Sequence, residues 1–326
     1  MNLKMNLNNK SIIVTGGAGF IGSHLVDRLI SEQPKELIVC SNFFLGKESN
    51  LLDALRKFPK LKIVKVDVSD YGEMRQILEK YSVDIVFNLA VIPLPTSLEK
   101  PEWTFSENVN MTLNLCKLAR EDKFKSLIQF SSSEAYGSAL YSPMDEQHPI
   151  NPETPYAASK AATDHLAFSY GRTFGIDVKI IRPFNNYGPR QNWGNYAGII
   201  PLSIKRILEN APLTIFGDGL QTRDYIFVTD TAEAAIAISK TANARNKVIN
   251  VGTGQEITVL NLLKLIADNM NYKKEFIFKE ARPGDVRRHV ADTKLLKKLT
   301  GFEPKVKIEE GIKKTIDWYK ANIPSK

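Results

Sequence analysis

The stretch SIIVTGGAGFIGSHLVDRLI, Ser11 to Ile30, decides the fold. Its first five residues are almost all β-branched and read as a buried strand. Gly16, Gly19 and Gly22 follow at once with a GxxGxxG spacing and open a helical pattern. Glycine permits a tight turn and lets the backbone approach a pyrophosphate, which then sits at the positive end of the helix. A glycine-rich loop alone is weak evidence. Set between a strand and a helix, this one predicts a dinucleotide site formed by Gly16, Gly19, Phe20, Ile21 and Gly22.

Working outward, ELIVC, LKIVKV, VDIVFNLA, SLIQF and VKIIRPF (Val178–Phe184) read as further strands. Helical stretches lie between them, at Gly22–Ser31, at Tyr71–Tyr81 and from near Pro155 onward. Continuous apolar strands alternating with helices imply a parallel sheet covered on both faces. The expected fold is α/β: a Rossmann-type doubly wound parallel sheet over residues 1–183, with a smaller mixed α/β substrate domain over 184–326. In that second part, helices are expected at Ile200–Glu209, Val259–Asn269 and Ile308–Ala321. YIFVTD and the Ala-rich helix after it are expected to return to the first domain.

An acidic residue that bonds the adenosine ribose normally stands about 20 residues past the glycines. Here the second strand ends in Cys40–Ser41–Asn42, so Ser41 takes that place. Losing the carboxylate weakens discrimination against NADP. Yet no Arg stands in Cys40–Leu45, and Lys47 is the nearest cation. NAD is therefore expected, with NADP the lesser alternative. Ser41, Asn42, Asp67 and Val68 are the candidates at the adenosine end, and strand-end capping is the plain alternative for Asp67.

Two segments carry the chemistry. TPYAASK places Tyr156 and Lys160 at i and i+4, on one helix face, with Thr154 and Pro155 as a helix start. A phenol loses its proton near pH 10. A nearby ammonium and a cationic nicotinamide favour the tyrosinate, which brings that value toward the working range. Lys160 can also hold the nicotinamide ribose. FSSSEAYG (Phe130 to Gly137) ends the fifth strand in hydroxyls and runs into Glu134. Ser132 is placed to orient a substrate alcohol, while a solvated turn carboxylate is the plain reading of Glu134.

With these residues in hand, the chain resembles extended short-chain dehydrogenase/reductases of the NAD-dependent nucleotide-sugar epimerase/dehydratase family. TGGAGFIG, SSSEAYG, YAASK, RPFNNYGPRQ, GDGLQTRDYIFVTD and RPGDV match family blocks in order across nearly the whole chain. The resemblance implies Ser132, Tyr156 and Lys160 as catalytic residues acting on a nucleoside diphosphate sugar, UDP foremost. It also implies Asn185, Arg223 and Arg282 on the diphosphate and adjacent groups, with Ser133 beside the sugar. Guanidinium suits phosphate, although Asp224 and Asp285 offer each Arg a local partner.

Ser132–Ser133–Glu134 is similar to the hydroxyl-x-Glu arrangement of members that dehydrate across C5–C6 or decarboxylate a uronic acid. Members acting on dTDP-glucose carry Asp where this chain has Ser133. The segment YGSALYSPMDEQHPINPETPYAASK is similar to UDP-N-acetylglucosamine 4,6-dehydratases. A 4,6-dehydratase is expected, with a 4-epimerase next, then a decarboxylase, and outside the class a non-catalytic dinucleotide sensor or RNA binder. The loop Ala90–Pro101 is expected to border the sugar. The family implies a homodimer, for which Ala157, Ala161 and Ala162 would be small outer positions.

Composition sets the remaining bounds. With 326 residues, 43% hydrophobic and 25% charged, the chain is ordinary for a globular protein. The formal charge of +8 suits an anionic ligand and equally a Lys-rich background. Neither a membrane span, a leader peptide, a metal motif nor a nucleic-acid-reading module is expected. Cys40 and Cys116 are expected as packed, reduced thiols in a cytoplasmic protein.

Overall fold

The computed structural model describes residues 6–194, 197–281 and 286–323. Six strands in the first half are β1 (Ser11–Thr15), β2 (Glu36–Ser41), β3 (Lys62–Lys65), β4 (Ile85–Asn88), β5 (Ser126–Phe130) and β6 (Asp177–Pro183). Between them run α1 (Phe20–Leu29), α2 (Leu52–Lys57), α3 (Tyr71–Lys80), α4 (Leu94–Glu99), α5 (Pro101–Arg120) and α6 (Pro155–Phe174). The strands read as unbroken apolar runs because both faces are covered. Ile12 and Val14 pack to one side of the sheet with Leu25, Leu29 and Ile236, and Ile13 packs to the other with Leu115 and Leu118. Each such side chain, fully covered, contributes about 1.5–3 kcal/mol.

The second half adds short strands β7 (Asn185–Tyr187), β8 (Thr214–Phe216), β9 (Thr222–Arg223), β10 (Tyr225–Phe227), β11 (Val248–Val251), β12 (Ile257–Thr258), β13 (Ile277–Lys279) and β14 (Arg288–His289). Its helices are α7 (Ile199–Leu208), α8 (Val228–Ser239), α9 (Val259–Asn269), α10 (Lys294–Thr300) and α11 (Ile308–Asn322). A separate apolar cluster forms where α7, α9 and α11 bring together Ile200, Ile204, Leu262, Ile266, Ile312, Ile316 and Tyr319.

The main sheet has seven strands in the order β11-β6-β5-β4-β1-β2-β3, and every pairing in it is parallel. Chain order reverses between β1 and β4, which opens a crevice at their carboxyl ends. β11 comes from the second half and pairs with β6, Val248 opposite Ile180. The Ala-rich α8 packs on α1, where Glu233 meets Arg28. Tyr225–Phe227 pairs with Asn185–Tyr187, and its Ile226 lies in the same apolar cluster as Ile12, Val14 and Leu25.

Ala157 and Ala161 are corrected. Expected on an outer face, they are 1% and 7% exposed within the single chain, and α5 packs along α6. Asn108 of α5 donates to the Ser159 hydroxyl at 2.9 Å in that seam. Among the described residues no helix is long and apolar enough to cross a membrane.

Candidate active site

The crevice holds a cleft of about 420 Å³. Gly16, at φ +64°, forms its floor, and its amide donates to the Cys40 carbonyl at 2.7 Å. A Cβ at Gly22 would stand 2.4 Å from the Gly16 oxygen, and one at Gly16 would stand 2.8 Å from the Leu89 backbone. The turn is therefore closed to larger residues, and α1 begins directly above it at Phe20 with no acidic residue in its first turn. Gly22→Ala is expected to abolish dinucleotide binding, because the added carbon must push the Gly16 oxygen out of the turn. Calorimetry with NAD checks this, and far-UV circular dichroism shows whether the fold survives.

Gly19, Phe20, Ile21, Ser41, Asn42, Asp67 and Val68 all line the same cleft. At the end of β2 the Ser41 hydroxyl accepts from the Phe43 amide at 3.1 Å. Asn42 donates to Asp67 at 3.0 Å. Burial pushes the Asp67 carboxyl up, but the Ser69 hydroxyl, the Ser69 amide and Asn42 outweigh it, so Asp67 is held below the usual value. Asp67 thus acts as a strand-end cap that also borders the cleft. Lys47 sits 3.9 Å over the Trp193 ring. Both residues line the cleft, with Arg190, which pairs with Asp27 of α1 at 2.7 Å.

The expected catalytic residues converge at the other end. Thr154 caps α6, accepting from the Ala157 amide at 3.1 Å. One turn on, Lys160 donates to the Phe130 carbonyl at 2.5 Å. Ser132 ends the strand by capping a single turn, Ser133–Tyr136, and accepts from the Glu134 amide at 3.2 Å. Within that turn Ser133 is buried while Ser132 and Glu134 are half-buried. Ser132 therefore does both things: it caps the turn and still hydrogen-bonds the Tyr156 phenol.

Burial pushes the Tyr156 phenol up to about 12; the Ser132 hydroxyl opposes this, and the Glu134 and Asp164 charges add to it. In the chain alone burial outweighs the Ser132 hydroxyl, and the expected lowering is not seen; Lys160, still an ammonium, donates to the Phe130 carbonyl. Burial draws Lys160 itself down to about 8, against the Asp164 charge.

A second group gathers beyond Phe184, which lines the cleft and lies 5.2 Å, ring to ring, from His289. Burial, then the Arg223 charge, draws His289 down to about 4, while the Ser133 backbone opposes them. Asn185 donates to the Asp224 carbonyl at 3.3 Å, and Arg223 to the Thr222 carbonyl at 2.9 Å. Ser133, Glu134, Asn185 and Arg223 do not line the main cleft; they stand at this adjoining end. Arg282 lies outside the described residues, as does Asp285. The Asp224 carboxylate, named as a partner for Arg223, accepts instead from the Thr253, Gly254 and Ala291 amides.

Two contributors, Asn186 and Arg190, escaped the sequence reading, while the loop Ala90–Pro101 was expected at the site. Asn186 rather than Asn185 lines the main cleft, its carbonyl oxygen accepting from Thr231 at 2.6 Å. Arg190 stands in the quoted block RPFNNYGPRQ, but only the fold brings it to Asp27. Along the loop Ala90–Pro101, Ala90, Val91, Ile92 and Pro93 line the cleft, and the rest winds into α4.

Taken together, a glycine turn under a helix at the strand switch and a Ser–Tyr–Lys cluster beyond the end of β5 define a dinucleotide-dependent enzyme fold. Residues 12–252 match the model of the NAD dependent epimerase/dehydratase family. The chain belongs to that family. It is similar to the UDP-glucose 4-epimerase of Mycolicibacterium smegmatis, 33% identical over 310 residues, covering 94% of this chain and 98% of that protein. Among solved structures it is similar to a UDP-glucose 4-epimerase with UDP-glucose from Thermotoga maritima, at TM-score 0.90 and 33% identity, covering 96% of this chain and 100% of the other. It is also similar to a dTDP-glucose 4,6-dehydratase from Streptomyces venezuelae with NAD bound, at TM-score 0.89 and 29% identity, covering 96% and 97%.

Proposed function

We propose that this chain is an NAD-dependent nucleotide-sugar enzyme that oxidises C4 of a hexose to a transient ketone and completes a 4,6-dehydration, leaving a 4-keto-6-deoxy sugar. The observation that carries the reading is the meeting of Ser132 and Glu134, on one capped turn, with Tyr156. The glycine turn fits the cofactor, since a Cβ at Gly16 or Gly22 would collide with backbone there. Bound NAD supplies a hydride acceptor that later returns the hydride.

Every other step belongs to the chain. Ser132 holds the C4 hydroxyl, and Tyr156 as tyrosinate takes its proton. Lys160 holds the nicotinamide ribose and adds positive charge. The 4-ketone acidifies the C5 proton, which Glu134 takes as the C6 hydroxyl leaves with a proton as water. Hydride then returns to C6 and a proton to C5, so the sugar loses one water and no net electrons. Asn185, Arg223 and Arg282 hold the diphosphate, Ser133 borders the sugar, and a UDP-sugar is the proposed substrate, by likeness to the complex with UDP-glucose.

Likeness to two 4-epimerases favours a second reading, in which the ketone turns over and takes hydride on its other face and Glu134 is only a turn carboxylate. Mass spectrometry after incubation with NAD and a panel of UDP-, GDP- and dTDP-sugars separates them. A product lighter by one water supports the dehydratase; unchanged mass with a new chromatographic peak supports the epimerase. Loss of carbon dioxide from a uronic acid would replace both with a decarboxylase.

For the cofactor we infer NAD over NADP, because Ser41 is tied to the Phe43 amide and no Arg lies in Cys40–Leu45. Ser41→Asp is expected to sharpen the preference by restoring repulsion of a 2′-phosphate. The ratio of kcat/KM for the two cofactors, or of their Kd values, reports it. A homodimer through α5 and α6 also fits the exposure of Trp103 and Phe105, 41% and 39%, near the start of α5. Analytical ultracentrifugation tests that.

A further inference from the structure

We propose that Asp164 is a positioning residue for the Tyr156–Lys160 pair: it ties the end of β5 to α6 and sets a buried anion one helical turn from the Lys160 ammonium. The proposal rests on the reading of Tyr156 and Lys160 given above. Asp164 stands four residues after Lys160 and eight after Tyr156, so all three share one face of α6. It is 3% exposed.

Its contacts lead to each catalytic segment in turn. One carboxylate oxygen, Oδ2, accepts from the Ser131 hydroxyl at 2.6 Å and from Arg182 Nη2 at 2.6 Å. Ser131 sits between Phe130, whose carbonyl takes Lys160, and Ser132, which hydrogen-bonds Tyr156. One hydrogen bond at Ser131 therefore sets the spacing of the strand end that both catalytic side chains use. Arg182, on β6, lies 4.3 Å over the Tyr136 ring, and Tyr136 closes the turn that carries Glu134.

The pairing is not built for stability alone. Arg182 donates to the oxygen that Ser131 already uses instead of forking across both, and Oδ1 has no hydrogen-bond partner among the described residues. Buried ion pairs are commonly replaceable by apolar residues with little loss. The charge has a consequence here: burial disfavours the Lys160 ammonium, and Asp164 opposes that. Asp164 is the charge that acts on Lys160; Tyr156, on the same helix, faces the Glu134 and Asp164 charges, and Arg182 on β6 faces Asp164. α5, packed alongside, presents Asn108 to Ser159.

The test reads Lys160 directly, without sugar chemistry. The full-length protein is labelled with trace acetic anhydride across a pH series, and the Lys160 peptide is quantified by mass spectrometry to give its protonation midpoint. Asp164→Asn is expected to lower that midpoint by about one pH unit or more, a tenfold loss of proton affinity, and Asp164→Glu to restore it. Should Asp164→Asn fail to fold, Asp164→Asn with Arg182→Met leaves no orphaned buried charge and is expected to lower the midpoint likewise. Ser131→Ala keeps the carboxylate, so the midpoint stays at the wild-type value. An unchanged midpoint in the folded Asp164→Asn protein, or an equal drop in Ser131→Ala, overturns the proposal. A wild-type protein that turns over no sugar would instead sink the functional reading and leave this titration interpretable.

Discussion

Tyr156→Phe is expected to remove turnover by about 10²–10⁴-fold, the range typical of a lost acid–base group, while NAD still binds. In the proposed mechanism the phenol takes the C4 proton, and phenylalanine keeps its ring. The cofactor end of the cleft, from Gly16 to Asp67, is untouched by the change. Stopped-flow turnover together with calorimetric NAD binding separates the two effects. If turnover survives within a few-fold, Tyr156 is not the base and the mechanism proposed here fails.

The same cluster predicts how turnover depends on pH. The chain alone holds Tyr156 high, at about 12, chiefly by burial. In the proposed mechanism, tyrosinate at working pH would then need positive charge from Lys160 and from the oxidised cofactor when bound. Lys160 is drawn down to about 8 by burial. It is charged below that value and neutral above it. Turnover should accordingly fall on the alkaline side, as pH rises through about 8, and on the acid side as tyrosinate is reprotonated. A kcat–pH profile with no alkaline limb would mean that the ammonium charge is not needed.

Glu134→Gln is the second large effect. If Glu134 takes the C5 proton, its loss should slow dehydration by about 10²–10⁴-fold while leaving C4 oxidation intact. Reduced-nicotinamide absorbance should then accumulate with the 4-keto sugar, where the wild type shows little. Glutamine keeps the size of the side chain, and the Ser132 cap on residue 134 uses only the backbone amide. The turn should therefore persist, as near-UV circular dichroism can verify. Nearly unchanged turnover with unchanged product mass would make Glu134 a turn carboxylate and the chain a 4-epimerase.

Local signals made much of this fold legible in advance. SIIVT and SLIQF are the strands Ser11–Thr15 and Ser126–Phe130, and the helix Val259–Asn269 falls where its apolar spacing put it. Thr154, Pro155 and the i, i+4 spacing likewise placed Tyr156 and Lys160 on a helix start facing one way. The twenty-residue α5 was less visible, since Asn108, Thr112 and Asn114 are buried in it and blur its apolar periodicity. Helix boundaries also moved: Gly22–Ser31 became Phe20–Leu29 because Gly19 sits at the cap.

By itself the sequence determined the six strands of the first half and the glycine turn and put forward the candidate reacting side chains, because each depends on residues within one or two turns of one another. Only the tertiary structure decided which distant segments complete the site. β11 closes the sheet beside β6, Asp164 reaches Ser131 and Arg182, Arg190 meets Asp27, and Lys47 finds Trp193. These contacts join positions from 18 to 163 residues apart, and nothing local encodes them. Burial was hidden for the same reason. The phenol of Tyr156 and the ammonium of Lys160 take their shifted proton affinities from what the folded chain packs around them, not from their spacing along it.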